Sequence, residues 1–197
     1  MLYFYSNFLT QQEENMSTFY ETQRLLLRTP ELSFAPMITD YYIKNREFLS
    51  EWEPVRPEEY YTTEYQEKQL ENQIADSNAL KLWISKKGEE DKVIGALTFS
   101  NIVKGVFLSC FLGYNLDKDE INMGYMTEAV KKGIEIMFQD YGLHRIEASI
   151  MPRNIRSLKV TQKLGFQEEG LSPQYLKING KWEDHLHMVL LNHDMNE

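Results

Sequence analysis

The six residues Ile121-Asn122-Met123-Gly124-Tyr125-Met126 form a turn that runs into a long amphipathic segment. A turn feeding a helix N-terminus points free backbone N–H groups and the positive end of the helix dipole outward together, which makes an anion site. Gly124 lacks a Cβ, so the backbone there can approach a phosphate oxygen. Further on, Asn154-Ile155-Arg156-Ser157 opens another helix that stops at Gly165. Asn154 suits an N-cap, and Ser157 lies one turn later on the same face. Together the two segments point to a pocket for a phosphorylated carrier with a reactive tail. The plainer alternatives are an ordinary helix-opening turn at Gly124, a bare N-cap at Asn154 and an exposed helix serine at 157.

The elements that must hold these residues are legible in outline. Arg24–Arg28 (RLLLR) reads as a short buried strand and Phe34–Phe48 as a helix, with Pro36 tolerated in its first turn. Two prolines keep residues 52–57 irregular. Thr63–Asp76 reads as a polar helix. Leu80–Lys86 and Val93–Asn101 read as consecutive antiparallel strands with a turn at 87–91, and Val106–Leu116, apolar on both faces, as a central strand. Met126, Val130, Ile134, Met137 and Phe138 fall at helical spacing in a helix over 124–141, which Gly142 stops. Arg145–Met151 reads as a strand and Asn154–Leu164 as a helix. Phe166–Leu176 and Lys181–Leu191 form a final pair joined by Asn179-Gly180, a strong hairpin signal. The expected class is α/β of the α+β type: a mixed, mostly antiparallel sheet flanked by helices.

At 197 residues the chain suits one well-filled domain. A net charge of −9 without any Lys/Arg block argues against a nucleic-acid binder that works through phosphates. Cys110 is the only cysteine and sits in the apolar run VFLSCFLGY, so an inert buried thiol is expected, with no internal disulfide. The four histidines do not combine with it into a metal-ligand spacing, so no structural metal and a reducing, cytoplasmic setting are expected. MLYFYSNFLT lacks the basic start of a signal peptide and is too short to span a bilayer. Residues 1–15 read as an N-terminal extension or arm, and residues 16–197 as a single domain.

This order and these motifs resemble the GNAT N-acetyltransferase superfamily. In that family the pattern Gln/Arg-x-x-Gly-x-Gly/Ala binds the pyrophosphate of acetyl-CoA. Here it falls on Ile121–Met126, fitting at Gly124 and departing at Ile121. The segment MPRNIRSLKVTQKLGF looks like the family's second cofactor motif. Within the superfamily the match resembles the RimJ-type ribosomal-protein alanine N-acetyltransferases. The stretches NREFLSEWEPVRPEEYY, IGALTFSNIVKGVFLSCFLGY, MPRNIRS, LGFQEEG and YLKINGKWEDH carry it, from about Gln23 to Leu191. The resemblance implies the GNAT fold and acetyl-CoA as cosubstrate without a metal. It also implies acetylation of a protein N-terminus, that of a ribosomal protein, with no direct nucleic-acid or membrane partner. Whether the chain forms a homodimer stays open.

The resemblance also assigns roles. The backbone N–H groups of Asn122, Met123, Gly124, Tyr125 and Met126 would bond the pyrophosphate, each charge-assisted bond contributing about 1.5–3 kcal/mol. Asn122 stands where this branch has Gly, and Asn tolerates positive φ better than other residues. Ile121 removes one polar contact, so weaker cofactor binding is expected. Asn154 would face the pantetheine arm and Ser157 the thioester sulfur. Many relatives carry a Tyr general acid where Thr161 stands, which leaves Ser157 as the candidate proton donor. Among the acids Glu53, Glu120, Glu168, Glu169 and Asp184, Glu53 is the candidate base, because Trp52 and Pro54 can bury it and raise its pKa. Pairing with Arg56 accounts for Glu53 as well. Trp52, Tyr175, Trp182, Asp184 and His185 are the expected acceptor walls, since aromatic walls with one or two carboxylates suit a positive peptide N-terminus. Each of them singly is explained equally by packing.

Two other readings stand beside N-terminal acetylation. One is an acetyltransferase for a small amine such as a polyamine, amino acid or aminoglycoside. The other is a non-catalytic acyl-CoA-binding module.

Overall fold

A computed structural model describes residues 18–196, so the expectation about residues 1–15 lies outside the described residues. Eight strands make one sheet. They are β1 (Phe19–Glu21), β2 (Leu25–Arg28), β3 (Leu80–Lys86), β4 (Gly95–Val103), β5 (Ser109–Leu116), β6 (Arg145–Ile150), β7 (Gln167–Ile178) and β8 (Lys181–Leu191), in the order β1-β2-β3-β4-β5-β6-β8-β7. All neighbours are antiparallel except β5 and β6. The helices are α1 (Ala35–Ser50), α2 (Thr63–Ala75), α3 (Tyr125–Glu135) and α4 (Ile155–Lys163).

Alternation along the strands sends side chains to two cores, one on each face of the sheet. Leu25, Leu27, Leu82, Leu97 and Phe99 meet Met126, Ala129 and Val130 of α3 and Leu158 of α4 on one face. Trp83 and Ala96 meet Ile38, Tyr41, Tyr42 and Leu49 of α1 and Leu70 of α2 on the other. At Gly133 a Cβ would sit 2.7 Å from the Phe99 ring, so α3 can lie this close to β4 only with glycine there. No helix among the described residues is long and apolar enough to cross a membrane.

The differences from expectation are local. β1 and a 3-10 turn at Glu58–Tyr61 are too short to leave a periodic signal. Residues 32–34 form a 3-10 turn ahead of α1, which runs two residues past Phe48. β5 starts at Ser109 because Val106 and Phe107 sit exposed in the connection, although β5 is central as expected. α3 is succeeded by a wider π turn at Ile136–Asp140, where the Tyr141 N–H reaches the Ile136 carbonyl at 3.1 Å. Asn179 and Gly180 both take positive φ (44° and 77°), the conformation that a two-residue hairpin turn requires.

Candidate active site

β5 and β6 pair only over Ser109–Phe111 and Arg145–Glu147. Beyond that the two strands part, and the backbone of residues 112–116 faces the gap without a strand partner on that side. Unpaired strand amides are costly to bury unless a ligand or water meets them. The gap opens into a cavity of about 590 Å³ lined by Leu112–Leu116, Ala148–Met151 and residues of both motifs.

One end of the cavity is the turn before α3. Asn122 (φ 63°) and Gly124 (φ 80°) are both left-handed, so Asn122 adopts the positive φ that its amide side chain tolerates. Gly124 is the N-cap of α3 and no side chain caps the helix, which leaves its first N–H groups to bond elsewhere. Ile121, Asn122, Gly124 and Met126 line the cavity. Met123 is exposed and Tyr125 lies beneath the Arg24 guanidinium at 4.4 Å, so neither side chain lines the cavity. Arg24, the first residue of the RLLLR segment, lies just ahead of β2. Its Nη1 donates to the Met123 carbonyl at 3.0 Å and its Nε to Glu128 Oε2 at 2.7 Å. Glu128 Oε1 also accepts from the Arg24 N–H and the Thr22 hydroxyl. Desolvation pushes the Glu128 carboxyl up, but its bonds from Thr22 and Arg24, together with the guanidinium charge, draw it below its usual range. Arg156, Lys159 and Lys163 of α4 add positive charge to the same cavity.

The middle belongs to Ser157 and Tyr114. Asn154 caps α4, its Oδ1 accepting from the Ser157 N–H at 3.2 Å. Ser157 Oγ donates to the Tyr114 hydroxyl at 2.7 Å, and that hydroxyl donates to the Ser157 carbonyl at 3.0 Å. Burial pushes the Tyr114 phenol up to about 12, so it stays protonated at neutral pH. Thr161 is fully buried and its Oγ1 donates to the Leu158 carbonyl at 3.0 Å, so it has no proton to offer the cavity. A phenol is nevertheless present, reached from the sheet instead of from α4. The signal for it was the alternation Leu112, Tyr114, Leu116, which puts Tyr114 on the α4 face.

The far end lies on the α1 face. Glu53 Oε2 accepts from Arg56 Nη2 at 3.0 Å, and Oε1 from Asn115 Nδ2 at 3.1 Å. The pairing alternative for Glu53 is therefore present in the fold. Tyr41 completes the row, donating to Asn115 Oδ1 at 3.0 Å. Trp52 and His185 line the cavity, and the Arg153 guanidinium stacks over Trp52 at 4.9 Å while reaching Glu51 and Glu183. The Asn179 N–H bonds the Glu53 carbonyl at 3.0 Å, which docks the hairpin tip on this loop. Tyr175, Trp182 and Asp184 do not line the cavity. Tyr175 packs on His185 and His187, Trp182 is exposed on the hairpin, and Asp184 Oδ1 accepts from the Gln174 N–H at 2.8 Å. Of the other acids, Glu120 pairs with Lys86 and Glu169 with Arg145. Ser149 Oγ is buried, has no protein partner and belongs to a residue that lines the cavity.

The cavity thus runs through a split sheet, with a left-handed turn at one end and polar groups at the other. Residues 24–167 match the acetyltransferase (GNAT) domain. The chain belongs to the GNAT acetyltransferase family. It is 36% identical over 175 residues to the [ribosomal protein uS5]-alanine N-acetyltransferase of Escherichia coli, covering 88% of this chain and 90% of that one. The ribosomal-protein-S5-alanine acetyltransferase of Vibrio fischeri superposes with a TM-score of 0.85 at 35% identity, covering 91% of this chain and all of that one. RimJ of Mycobacterium smegmatis, in complex with CoA-disulfide, superposes at 0.79 with 27% identity, covering 88% and 84%. The chain is therefore a GNAT N-acetyltransferase with the mixed, mostly antiparallel sheet of that fold. Among the described residues no group of three or more His, Cys, Asp or Glu side chains gathers as a metal site.

Proposed function

We propose that this acetyltransferase moves the acetyl group of acetyl-CoA to the α-amine of a protein N-terminus, with a ribosomal protein starting in alanine as the acceptor class, in the cytoplasm. The observation that carries the reading is the single cavity joining the left-handed turn to the Trp52–Glu53–His185 end through the split sheet. Its likeness to proteins named as uS5-alanine acetyltransferases supports the acceptor class.

Acetyl-CoA supplies an activated acetyl thioester. The backbone N–H groups of Asn122, Met123, Gly124, Tyr125 and Met126 hold its diphosphate, with Arg156, Lys159 and Lys163 nearby as cations. The unpaired edge of β5 takes the pantetheine arm, and one of its N–H groups faces the carbonyl oxygen as an oxyanion donor. Asn154 fixes the start of α4 and so the place of Ser157. The Ser157 hydroxyl, backed by Tyr114, gives the departing sulfur its proton. A thiol near pKa 8.5 needs only modest help of that kind.

The acceptor chemistry agrees with an α-amine. Its pKa of about 7.7–8.0 leaves roughly a tenth uncharged at neutral pH, whereas a lysine near 10.4 stays charged. Glu53 presents a carboxylate that draws the ammonium into the cavity, with Trp52 and His185 as walls and Tyr175, Trp182 and Asp184 shaping the hairpin beside it.

An acceptor panel tests the proposal. An alanine-starting peptide should be acetylated at its N-terminus with one thiol released per acetyl group. Turnover only on polyamines, amino acids or aminoglycosides would replace it with the small-amine reading.

A further inference from the structure

We propose that His185 Nε2 is the base that takes the proton from the acceptor amine. The inference rests on the acetyl-transfer reading above and assigns a catalytic group within it.

His185 lies on β8 and is 3% exposed, yet it lines the cavity. Its Nδ1 is 2.9 Å from the Glu183 carbonyl oxygen. A carbonyl only accepts, so Nδ1 carries the hydrogen and Nε2 is left with its lone pair free. Among the described residues no protein donor meets Nε2. The ring is held in place as well as in tautomer, because Tyr175 packs against it with centroids 5.8 Å apart.

Position agrees with the role. Leu186 packs into the core on the α3–α4 face, so the alternation of β8 turns His185 to the opposite face, that of α1, Asn115 and Glu53. Ser149 pairs with His187 in the register of β6 and β8, which puts Ser149 on the His185 face one step along. Its buried and unpartnered hydroxyl gives an amine in this end a hydrogen-bond partner beside the imidazole.

The competing bases are occupied. Both Glu53 oxygens are bonded, one to Arg56 and one to Asn115. Glu183, on the same strand, pairs with Arg153. Asp184 is turned to the other face and holds the Gln174 N–H. Among the described residues, His185 Nε2 is the basic atom in the acceptor end without a protein partner.

The α-ammonium gives one proton to Nε2, and its freed lone pair forms the N–C bond to the thioester carbon. The C–S bond breaks with its electron pair on sulfur. The second amine proton ends on sulfur as thiol, delivered through Ser157. The imidazolium then releases the first proton to water.

His185→Asn tests the assignment, because the asparagine amide can keep the bond to the Glu183 carbonyl while Nε2 is lost. With an alanine-starting peptide, kcat should fall about 100-fold, with acetyl-CoA affinity within twofold of the parent. The deficit should shrink as pH rises and the free amine becomes abundant. A His185→Asn enzyme within threefold of the parent, or a Glu53→Gln enzyme that shows this loss and pH recovery instead, would overturn the proposal. In the unsubstituted protein, the 15N shift of His185 should show a pyridine-type Nε2, and a protonated neutral Nε2 would overturn it without recourse to a variant. Parent enzyme that acetylates α-amines alongside an equally active His185→Asn sinks only the histidine. Parent enzyme that binds acetyl-CoA and acetylates no α-amine sinks both readings.

Discussion

Arg24 holds the carbonyl of Met123 at 3.0 Å, although four strands and two α-helices separate them in sequence. The contact fixes the middle of a turn whose flanking residues, Asn122 and Gly124, are both left-handed. The same guanidinium is braced by Glu128 at 2.7 Å and stacks on Tyr125 at 4.4 Å. A turn that lacks a polar side chain at Ile121 is thus held from outside by a cation on a distant segment.

Arg24→Gln should therefore weaken acetyl-CoA binding about tenfold, the equivalent of roughly 1.4 kcal/mol for losing a charged bond to the turn. Calorimetry reads this directly. Turnover of S-acetylpantetheine, which has no diphosphate to place, should stay within twofold.

Gly124→Ala places a Cβ at φ 80°. The nearest heavy atom, Arg24 Nη2, would be 3.5 Å away, so the cost is conformational and not a clash. It should be about 1–2 kcal/mol in urea unfolding, with weaker acetyl-CoA binding as the turn shifts. Asn122→Gly relieves the same kind of strain and should leave stability unchanged or slightly higher.

Ser157→Ala should lower kcat about tenfold with acetyl-CoA affinity preserved, since the hydroxyl acts on the leaving sulfur. Tyr114→Phe, which keeps that hydroxyl but removes its partner at 2.7 Å, should lose less. Steady-state kinetics on the two variants checks the order.

Cys110 gives a pH dependence to stability. Burial pushes its thiol up to about 12, above the roughly 8.5 of an unfolded cysteine. The native state then binds the proton more tightly than the unfolded one. This contribution is full below about pH 8.5 and is lost as pH rises toward 12. Tyr114 acts in the same direction from about pH 10 upward. Urea midpoints should fall above pH 9, and Cys110→Ala should flatten the first part of the slope.

Most elements were legible because their periods were long. α3, α4 and the hairpin at Asn179-Gly180 carry apolar spacing or turn chemistry that local physics dictates. β1, three residues long, carries no period. The local conformations at the proposed cofactor end were legible for a related reason: Asn122 and Gly124 sit in a left-handed turn and Asn154 caps the Ser157 N–H, features that local sequence specifies. Arg24, Tyr114, Asn115 and Ser149 were not, because their roles depend on which strands meet. Arg24 between Gln23 and three leucines looks like a strand edge until β2 is set beside α3. Composition alone groups Tyr175, Trp182 and Asp184 as walls, but they lie outside the cavity lining, on a hairpin whose register shifts twice along β7.

The most direct test of the whole account is a crystal structure of the protein with acetyl-CoA. The diphosphate should lie within hydrogen-bonding distance of the N–H groups of residues 122–126, and the thioester should sit between β5 and β6 with its sulfur beside Ser157 Oγ. A diphosphate bound away from that turn, or a thioester outside the split between the two strands, would contradict it.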